Sequence, residues 1–217
     1  MHSFTEENYL KTIYQLSTED NNVVTTNGIA EVMNTKAASV TDMLKKLADK
    51  KLINYIRYQG ASLTDAGRQT ATEIIRKHRL WEVFLVEKLD FKWDEVHDIA
   101  EELEHINSKE LVDRLDKFLG FPKTDPHGDP IPDRKGNIQQ KPFVKISKMK
   151  PGEAGKISGV SEHTPVFLQY LEKSGLTLGT TVTIIEIMEF DGSIILNNQE
   201  KDLSISREVA KNLLVVI

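Results

Sequence analysis

Apolar residues recur along the first third of the chain with the spacing of short helices. In "TEENYLKTIYQLS" they fall at 9, 10, 13, 14 and 16, a stripe on one helical face with Thr5 as the expected N-cap. Two further helical patterns, "TTNGIAEVMN" and "KAASVTDMLKKLADKKL", are joined by the short turn "NTK". "INYIRYQGASLT" then sets Ile- and Tyr-rich flanks around "QG", which predicts a strand, a turn and a second strand. "TDAGRQTATEIIRKHRLWEVFLVEKL" predicts a long helix capped by Thr64, with Gly67 near its start, where the penalty for glycine is smallest. Residues 92–120 predict two more helices broken near "NSKE", the second capped by Ser108.

The pattern then changes. Residues 121–142, "FPKTDPHGDPIPDRKGNIQQKP", hold five of the seven prolines and two glycines, the composition of a semi-rigid linker. Beyond it "TPVFLQYLEKSG" predicts a short helix, and "TTVTIIEIMEFDGSIILNNQ" a hairpin turning at Asp191-Gly192. "LSISREVAKNLLVVI" closes with an apolar strand. Many short strands in so short a segment predict a small barrel. The expected fold is mainly α with a small β part. It comprises a winged helix-turn-helix over 1–75, a helical domain over 76–141 ending in the Pro-rich linker 121–141, and a small β-barrel over 142–217.

Composition narrows the chemistry. The chain has 217 residues and no cysteine, which excludes disulfides and thiolate metal sites and fits a cytoplasmic protein. No apolar run approaches the roughly 20 residues of a membrane span, and "MHSFTEENYLKTIYQL" reads as an amphipathic helix, not a signal peptide. Net charge is −5, but it is unevenly spread. Residues 1–81 carry 11 Lys and Arg against 9 Asp and Glu, whereas residues 82–120 carry 5 against 12.

Within that acidic segment, "VHDIAEELEHI" sets His97, Glu101, Glu104 and His105 at offsets that stack on one helical face. Carboxylates so placed repel one another unless water or a cation intervenes. "HRLWE" places His78 and Glu82 one turn apart. Imidazole nitrogen and carboxylate oxygen are ligands for first-row divalent metals. His97 lies too far from the other three to share one ion easily. Two sites per subunit are therefore expected, one from Glu101, Glu104 and His105, the other from His78, Glu82 and His97.

The N-terminal succession of helix, turn, helix and Gly-tipped hairpin has the order of a winged helix-turn-helix, whose second helix (about 36–50) would enter the major groove. Lys36 and Lys45 would meet phosphates, while Ser39 and Thr41 would reach phosphates or bases. Asp42 would repel phosphate unless it points at a cytosine amino group or forms a local pair. Thr26, Ala38 and the wing residue Arg57 complete the expected DNA-facing set.

An enzyme is the competing class. Glu102-x-x-His105 matches the ligand motif of di-iron carboxylate bundles, but those need two such motifs and the chain has one. No Gly-rich phosphate loop or nucleophile elbow is present, and no small organic substrate is expected.

The segments "EENYLKTIYQL", "ASVTDMLKKL", "RKHRLWEVFL", "VHDIAEELEHI" and "PHGDPIP", in this order, resemble the diphtheria toxin repressor family of metal-dependent transcriptional regulators, over the whole chain. The resemblance makes the C-terminal barrel over 142–217 SH3-like and implies a homodimer that binds a palindromic operator on double-stranded DNA when loaded with Fe²⁺ or Mn²⁺. It carries a primary metal site onto Asn8, Glu101, Glu104 and His105 and an ancillary site onto His78, Glu82 and His97. It makes Asp125, before "HG", a further ligand, and Glu162 and His163 candidates from the C-terminal domain. Iron-sensing members have Met and Cys where this chain has Asn8 and Glu101, so Mn²⁺ is favoured over Fe²⁺. Asn8 stands where manganese-sensing members usually have Asp, which removes one charge. Lys11 stands where some have a metal-binding Glu, which argues against a tight two-metal cluster.

Overall fold

The computed structural model describes residues 2–17, 22–139 and 142–217. Gln140 and Lys141, at the end of the expected linker, lie outside the described residues. Contacts group the chain into two compact units. The first holds Met1–Trp81, Glu101–Arg114 and Ile131–Ile138, and the second Glu82–Ala100, Leu115–Pro130 and Gln139–Ile217.

In the first unit, α1 (Phe4–Leu16), α2 (Thr26–Val32) and α3 (Ala37–Asp49) are followed by the antiparallel strands β1 (Ile53–Ile56) and β2 (Gly60–Leu63). The apolar stripes meet in one core, where Leu10, Ile13, Ile29, Val40, Leu44 and Leu47 are fully buried. Val24 exchanges two backbone hydrogen bonds with Ala61, of 2.8 and 2.9 Å, which fastens the entry to α2 onto the hairpin. This is the expected winged helix-turn-helix.

One cap differs from expectation. Ser3, not Thr5, caps α1: its hydroxyl accepts from Glu6 N while the Glu6 carboxylate accepts from Ser3 N, a reciprocal capping box. The helix therefore starts early enough for Phe4 to be helical.

The long helix α4 (Asp65–Leu89) begins as expected, with Thr64 Oγ1 accepting from Gly67 N at 3.2 Å. Gly67 has a steric reason as well: a Cβ there would lie 1.9 Å from the Leu52 carbonyl oxygen. Two shorter helices follow, α5 (His97–Leu103) and α6 (Lys109–Phe118), the latter capped by Ser108 Oγ. The stripe expected from His97 to His105 is not one continuous helix. α5 ends at Leu103, and Glu104 and His105 sit in the turn beyond it. Ile106 N bonds back to Leu103 O at 3.1 Å, the tightened geometry of a helix terminus.

The second unit carries the C-terminal domain. It runs β3 (Val144–Lys145), a short 3-10 turn, β4 (Ala154–Val160), α7 (Pro165–Ser174), β5 (Thr181–Ile187), β6 (Ile194–Asn197), β7 (Asp202–Ile205), α8 (Arg207–Asn212) and β8 (Leu213–Val216). The strands form one antiparallel sheet in the order β3-β8-β4-β5-β6-β7, bent by bulges at Ile157/Gly159 and Ile184/Glu186. Its SH3-like core gathers Ile146, Ile157, Leu171, Val182, Leu196 and Val215. The helix α8 was not foreseen, because six residues are too few to display a period of 3.6.

The Pro-rich segment is more than a spacer. Asp125 and His127 are 5% and 1% exposed, in a turn that Asp125 Oδ1 closes by accepting from His127 N at 2.8 Å and Asp129 N at 3.0 Å. Among the described residues no helix is long and apolar enough to cross a membrane.

Candidate metal centres and DNA-facing surface

Beside its apolar stripe, α1 carries a second one. Phe4, Glu7, Asn8 and Lys11 stand three, four and seven residues apart, on one helical face. His105 meets this face: its ring stacks on Phe4 at 4.5 Å, and its Nδ1–H donates to Glu7 Oε2 at 2.6 Å. With Nδ1 held by a carboxylate, Nε2 is the nitrogen left to ligate, the usual arrangement of a metal-binding histidine. Nε2 lies 3.9 Å from Glu104 Oε1.

Glu104, 1% exposed, is the centre of this cluster. Its Oε2 accepts from Lys11 Nζ at 2.7 Å and from His78 Nδ1 at 2.6 Å. Burial opposes ionisation of the carboxyl, but His78 and Lys11 outweigh it and hold its pKa below the ordinary value. Glu101, at the edge, is 3.5 Å from the same ammonium. Two buried acceptors, Asn8 Oδ1 and Glu104 Oε1, have no hydrogen-bond donor. An unmatched buried oxygen costs free energy, which a hydrogen-bond donor or a cation offsets. Glu101, Glu104 and His105 offer the oxygen and nitrogen donors that a hard divalent ion takes, and Asn8 stands on the α1 face that His105 meets.

His78, which sequence spacing grouped with Glu82 and His97, directs Nδ1 at Glu104 while standing one turn before Glu82 on α4. Glu7 escaped sequence reasoning altogether. Acidic residues are favoured in the first turn of any helix, so nothing local marks it.

The second cluster is built around Glu82, 2% exposed. Its Oε1 lies 3.7 Å from His97 Nδ1 and 3.6 Å from His127 Nδ1. Glu82, Asp125 and His127 each offer a ligand atom within 4.8 Å of the others, and all three are buried. His127 Nε2–H donates to the Trp93 carbonyl at 2.8 Å, which turns Nδ1 towards Glu82. Burial pushes the His127 pKa down, but Glu82, Asp125 and the Trp93 carbonyl outweigh it and hold it up at about 9. A proton thus holds the position that a metal would take, and metal would enter by displacing it. His127 was missed by sequence spacing, since its partner Glu82 is distant in the chain and only the fold joins them.

His163 stacks on His127 at 4.8 Å, and burial lowers its pKa. Its Nε2–H donates to Val160 O at 3.2 Å. Glu162 Oε1 accepts from Thr164 N at the start of α7. Both line a cavity of about 440 Å³ with Asp94, Glu95, His97 and Asp98.

On the winged helix-turn-helix, Lys36, Ala38, Ser39, Asp42 and Lys45 are exposed along the first turns of α3, and Arg57 is exposed at the wing tip, stacked over Tyr58 at 4.8 Å. Thr26 and Thr41 are half-buried, and Thr41 Oγ1 bonds back to Ala37 O. Asp42 forms the local pair its position calls for, with Lys45 Nζ at 3.1 Å. Lys36→Ala and Arg57→Ala are each expected to weaken DNA binding evenly across sequences and to reduce the salt slope of log K by about 1. Fluorescence anisotropy at several salt concentrations checks this.

α3 and the cluster around Glu104 both engage α1. Glu6, 1% exposed, accepts at 2.7 Å from Nζ of Lys50, the C-cap of α3, and lies 3.0 Å from Nζ of Lys46 in its last turn. Burial opposes its ionisation, but Lys50, Ser3 N and Lys46 hold its pKa at about 2.

A winged helix-turn-helix followed in the chain by clusters of carboxylate and imidazole donors and by an SH3-like domain defines a metal-binding DNA-binding protein. Family models match accordingly: the iron dependent repressor N-terminal DNA binding domain at residues 1–61, the iron dependent repressor metal binding and dimerisation domain at 64–133, and the FeoA domain at 144–217. The chain belongs to the iron-dependent repressor family, that of the diphtheria toxin repressor. It is 36% identical over 128 residues to the iron-dependent repressor IdeR of Mycobacterium tuberculosis, covering 59% of this chain and 55% of that one. It is 46% identical over 88 residues, 41% of its length, to a probable metal transport system membrane protein of Chlamydia trachomatis, of which it spans only 19%. Among solved structures, a manganese-dependent transcriptional repressor in complex with manganese superposes with a TM-score of 0.88 at 34% identity, over 97% of this chain and 99% of that one. ScaR with bound Cd²⁺ superposes at 0.82 and 33% identity, over 97% and 98%.

Proposed function

We propose that the chain is a metal-dependent transcriptional repressor of metal-ion homeostasis, activated by Mn²⁺ in preference to Fe²⁺, and bound as a homodimer to a palindromic operator. The observation that carries this is the double engagement of α1. Glu6 ties it to α3 through Lys46 and Lys50, while Glu7 and Lys11 tie it to His105, Glu101 and Glu104. Whatever tightens the second contact restricts the helix that backs the recognition helix.

Asn8, Glu101, Glu104 and His105 would hold one ion. Glu82, His97, Asp125 and His127 would hold the other, with His78 one turn before Glu82. Glu162 and His163 stand near the second set as further ligands. Asn8 on α1 and Glu104 and His105 after α5 would hold the ion between them, and the positive charge it would supply there would join α1 to that segment. Without it, α1 samples more arrangements and the ordering cost falls on DNA binding. In a two-fold dimer the recognition helices would meet half-sites one helical turn, about 34 Å, apart.

Mn²⁺ is favoured because the donors are hard oxygens and imidazole with no sulfur. The likeness to a repressor crystallised with manganese supports the same choice. The test is DNA binding by the chelator-stripped chain, titrated with Mn²⁺ and then anaerobically with Fe²⁺ at one salt concentration. Binding is expected to tighten at least about 100-fold on loading, the scale of a strong allosteric coupling. Affinity indifferent to metal would leave a plain winged-helix protein, and a lower midpoint for Fe²⁺ would make iron the effector.

A further inference from the structure

The chain is acidic overall, with a net charge of −5, yet one recess of the first unit has the opposite sign. It is a cavity of about 340 Å³ between α4, the start of α6 and Arg134. Arg76, Lys77, Lys109 and Arg134 line it, against two carboxylates, Glu73 and Asp113.

These cations are not equally answered. Arg76 is buried, and its Nη1 donates to the Pro132 carbonyl at 2.7 Å, which fixes the guanidinium. Arg134 Nε lies 3.2 Å from Asp113 Oδ1. Lys77 is half-buried, and no hydrogen bond or ion pair reaches its ammonium among the described residues. Burial lowers its pKa, and the carboxylates of Glu7, Glu104 and Glu73, acting from farther off, do not make up the loss. A half-buried ammonium without a partner costs free energy, which water or an anion offsets.

We propose that this cavity binds a small organic phosphate monoester. Four cations against two carboxylates leave an excess of two positive charges, and a phosphate monoester carries about −1.5 to −2 at pH 7. Guanidinium forks and a lysine ammonium are the groups that take terminal phosphate oxygens. The volume lies at the lower end of small-molecule sites, about 300–1,000 Å³, and leaves room for an organic body beside the phosphate. Ile106 and Val112, both half-buried, supply an apolar wall for that body. A solvated basic patch would keep every ammonium in water, whereas Lys77 is half-buried. A DNA strand presents diesters of one charge each, which suit the exposed cations of α3 and the wing better than a recess of this size. Lys77 and Ile106 are next in the chain to His78 and His105, but the cavity uses none of the metal donors.

The experiment titrates the full chain, stripped of metal with chelator, with phenyl phosphate in a calorimeter at fixed ionic strength. Inorganic phosphate and phenol serve as the head and the body alone. Phenyl phosphate is expected to bind at one site per chain, at least about 10-fold more tightly than inorganic phosphate, the scale of burying a small apolar group. Phenol is expected not to bind. Lys77→Gln and Arg134→Gln are each expected to weaken phenyl phosphate at least about 10-fold, the scale of one hydrogen bond to a charged group. DNA binding by the Mn²⁺-saturated variants is expected to keep its affinity and salt slope. Arg134 is exposed, so its variant decides the matter should Lys77→Gln fail to fold. No binding of phenyl phosphate overturns the proposal, as does binding no tighter than that of inorganic phosphate or undiminished in the folded variants. Variants that lose DNA affinity along with phenyl phosphate would make the cavity a contact for the DNA backbone and overturn it too. The titration contains no metal, so its failure leaves the metal-sensing function standing.

Discussion

Glu104→Gln is expected to abolish the metal-dependent part of DNA binding and to lower Mn²⁺ affinity at the first cluster by at least about 100-fold, since loss of even an outer-shell partner typically costs 10–100-fold. The substitution keeps shape and volume, so the effect isolates charge and acceptor capacity. In the wild type both carboxylate oxygens matter: Oε2 accepts from Lys11 and His78, and Oε1 stands without a donor beside His105 Nε2. An amide places an NH₂ group at one of these positions. It either faces the Lys11 ammonium, donor against donor, or closes the side from which an ion would enter.

The protein should also lose stability. Lys11 is buried, and removing its nearest counter-charge leaves it with Glu101 at 3.5 Å. Breaking a buried pair from one side costs about 3 kcal/mol, which lowers Tm by roughly 6–12 °C in a chain of this size. Isothermal titration with Mn²⁺, anisotropy on operator DNA and a thermal melt read the three effects separately. Unchanged metal-dependent DNA binding in a folded Glu104→Gln chain would remove Glu104 from the mechanism.

Gly128→Ala is expected to destabilise the second unit by about 3 kcal/mol and to weaken its metal cluster. Gly128 has φ +92°, and a Cβ there would lie 2.2 Å from Ser158 O and 2.5 Å from Gly159 Cα. Both obstacles are backbone atoms of β4, so no side chain can turn aside. The turn must lift away from the strand, breaking the 3.0 Å hydrogen bond from Val160 N to His127 O. That bond is part of what sets His127 against Glu82.

Gly120→Ala separates strain from collision. Gly120 also has positive φ, +75°, but a Cβ there meets nothing within 4 Å. Its cost should be limited to backbone strain, about 1 kcal/mol. Denaturant unfolding of the two variants, with Mn²⁺ titration of each, should show a large loss of both stability and affinity only for Gly128→Ala. Equal behaviour would mean that the close approach to β4 does not position the cluster.

Much of the fold was legible because its signals are local. The winged helix-turn-helix follows from stripes of period 3.6, a Gly-tipped hairpin and the Thr64 cap, each contained in a few consecutive residues. Where the local signal was weak or shared, the expectation slipped. Thr5 and Ser3 are both good caps, and the choice fell to Ser3 because Glu6 stands where it can answer. The stripe from His97 to His105 has helical spacing throughout, yet α5 stops at Leu103. Glu104 and His105 continue the same face from a terminal turn, where partners on α1 and α4 hold them.

Of the candidate metal site, the sequence by itself determined the chemistry. It supplied oxygen and nitrogen donors without sulfur, a concentration of negative charge, and the residues Glu101, Glu104, His105 and Glu82 in helical spacing. Only the tertiary structure decided which of them meet. It set Glu7 on His105, brought His127 to Glu82 from a segment that composition marked as linker, and directed His78 towards Glu104. It also placed the Lys11 ammonium among the ligands. Spacing along one helix reports only neighbours on that helix, whereas a metal site needs donors from several elements, and their convergence is a property of packing.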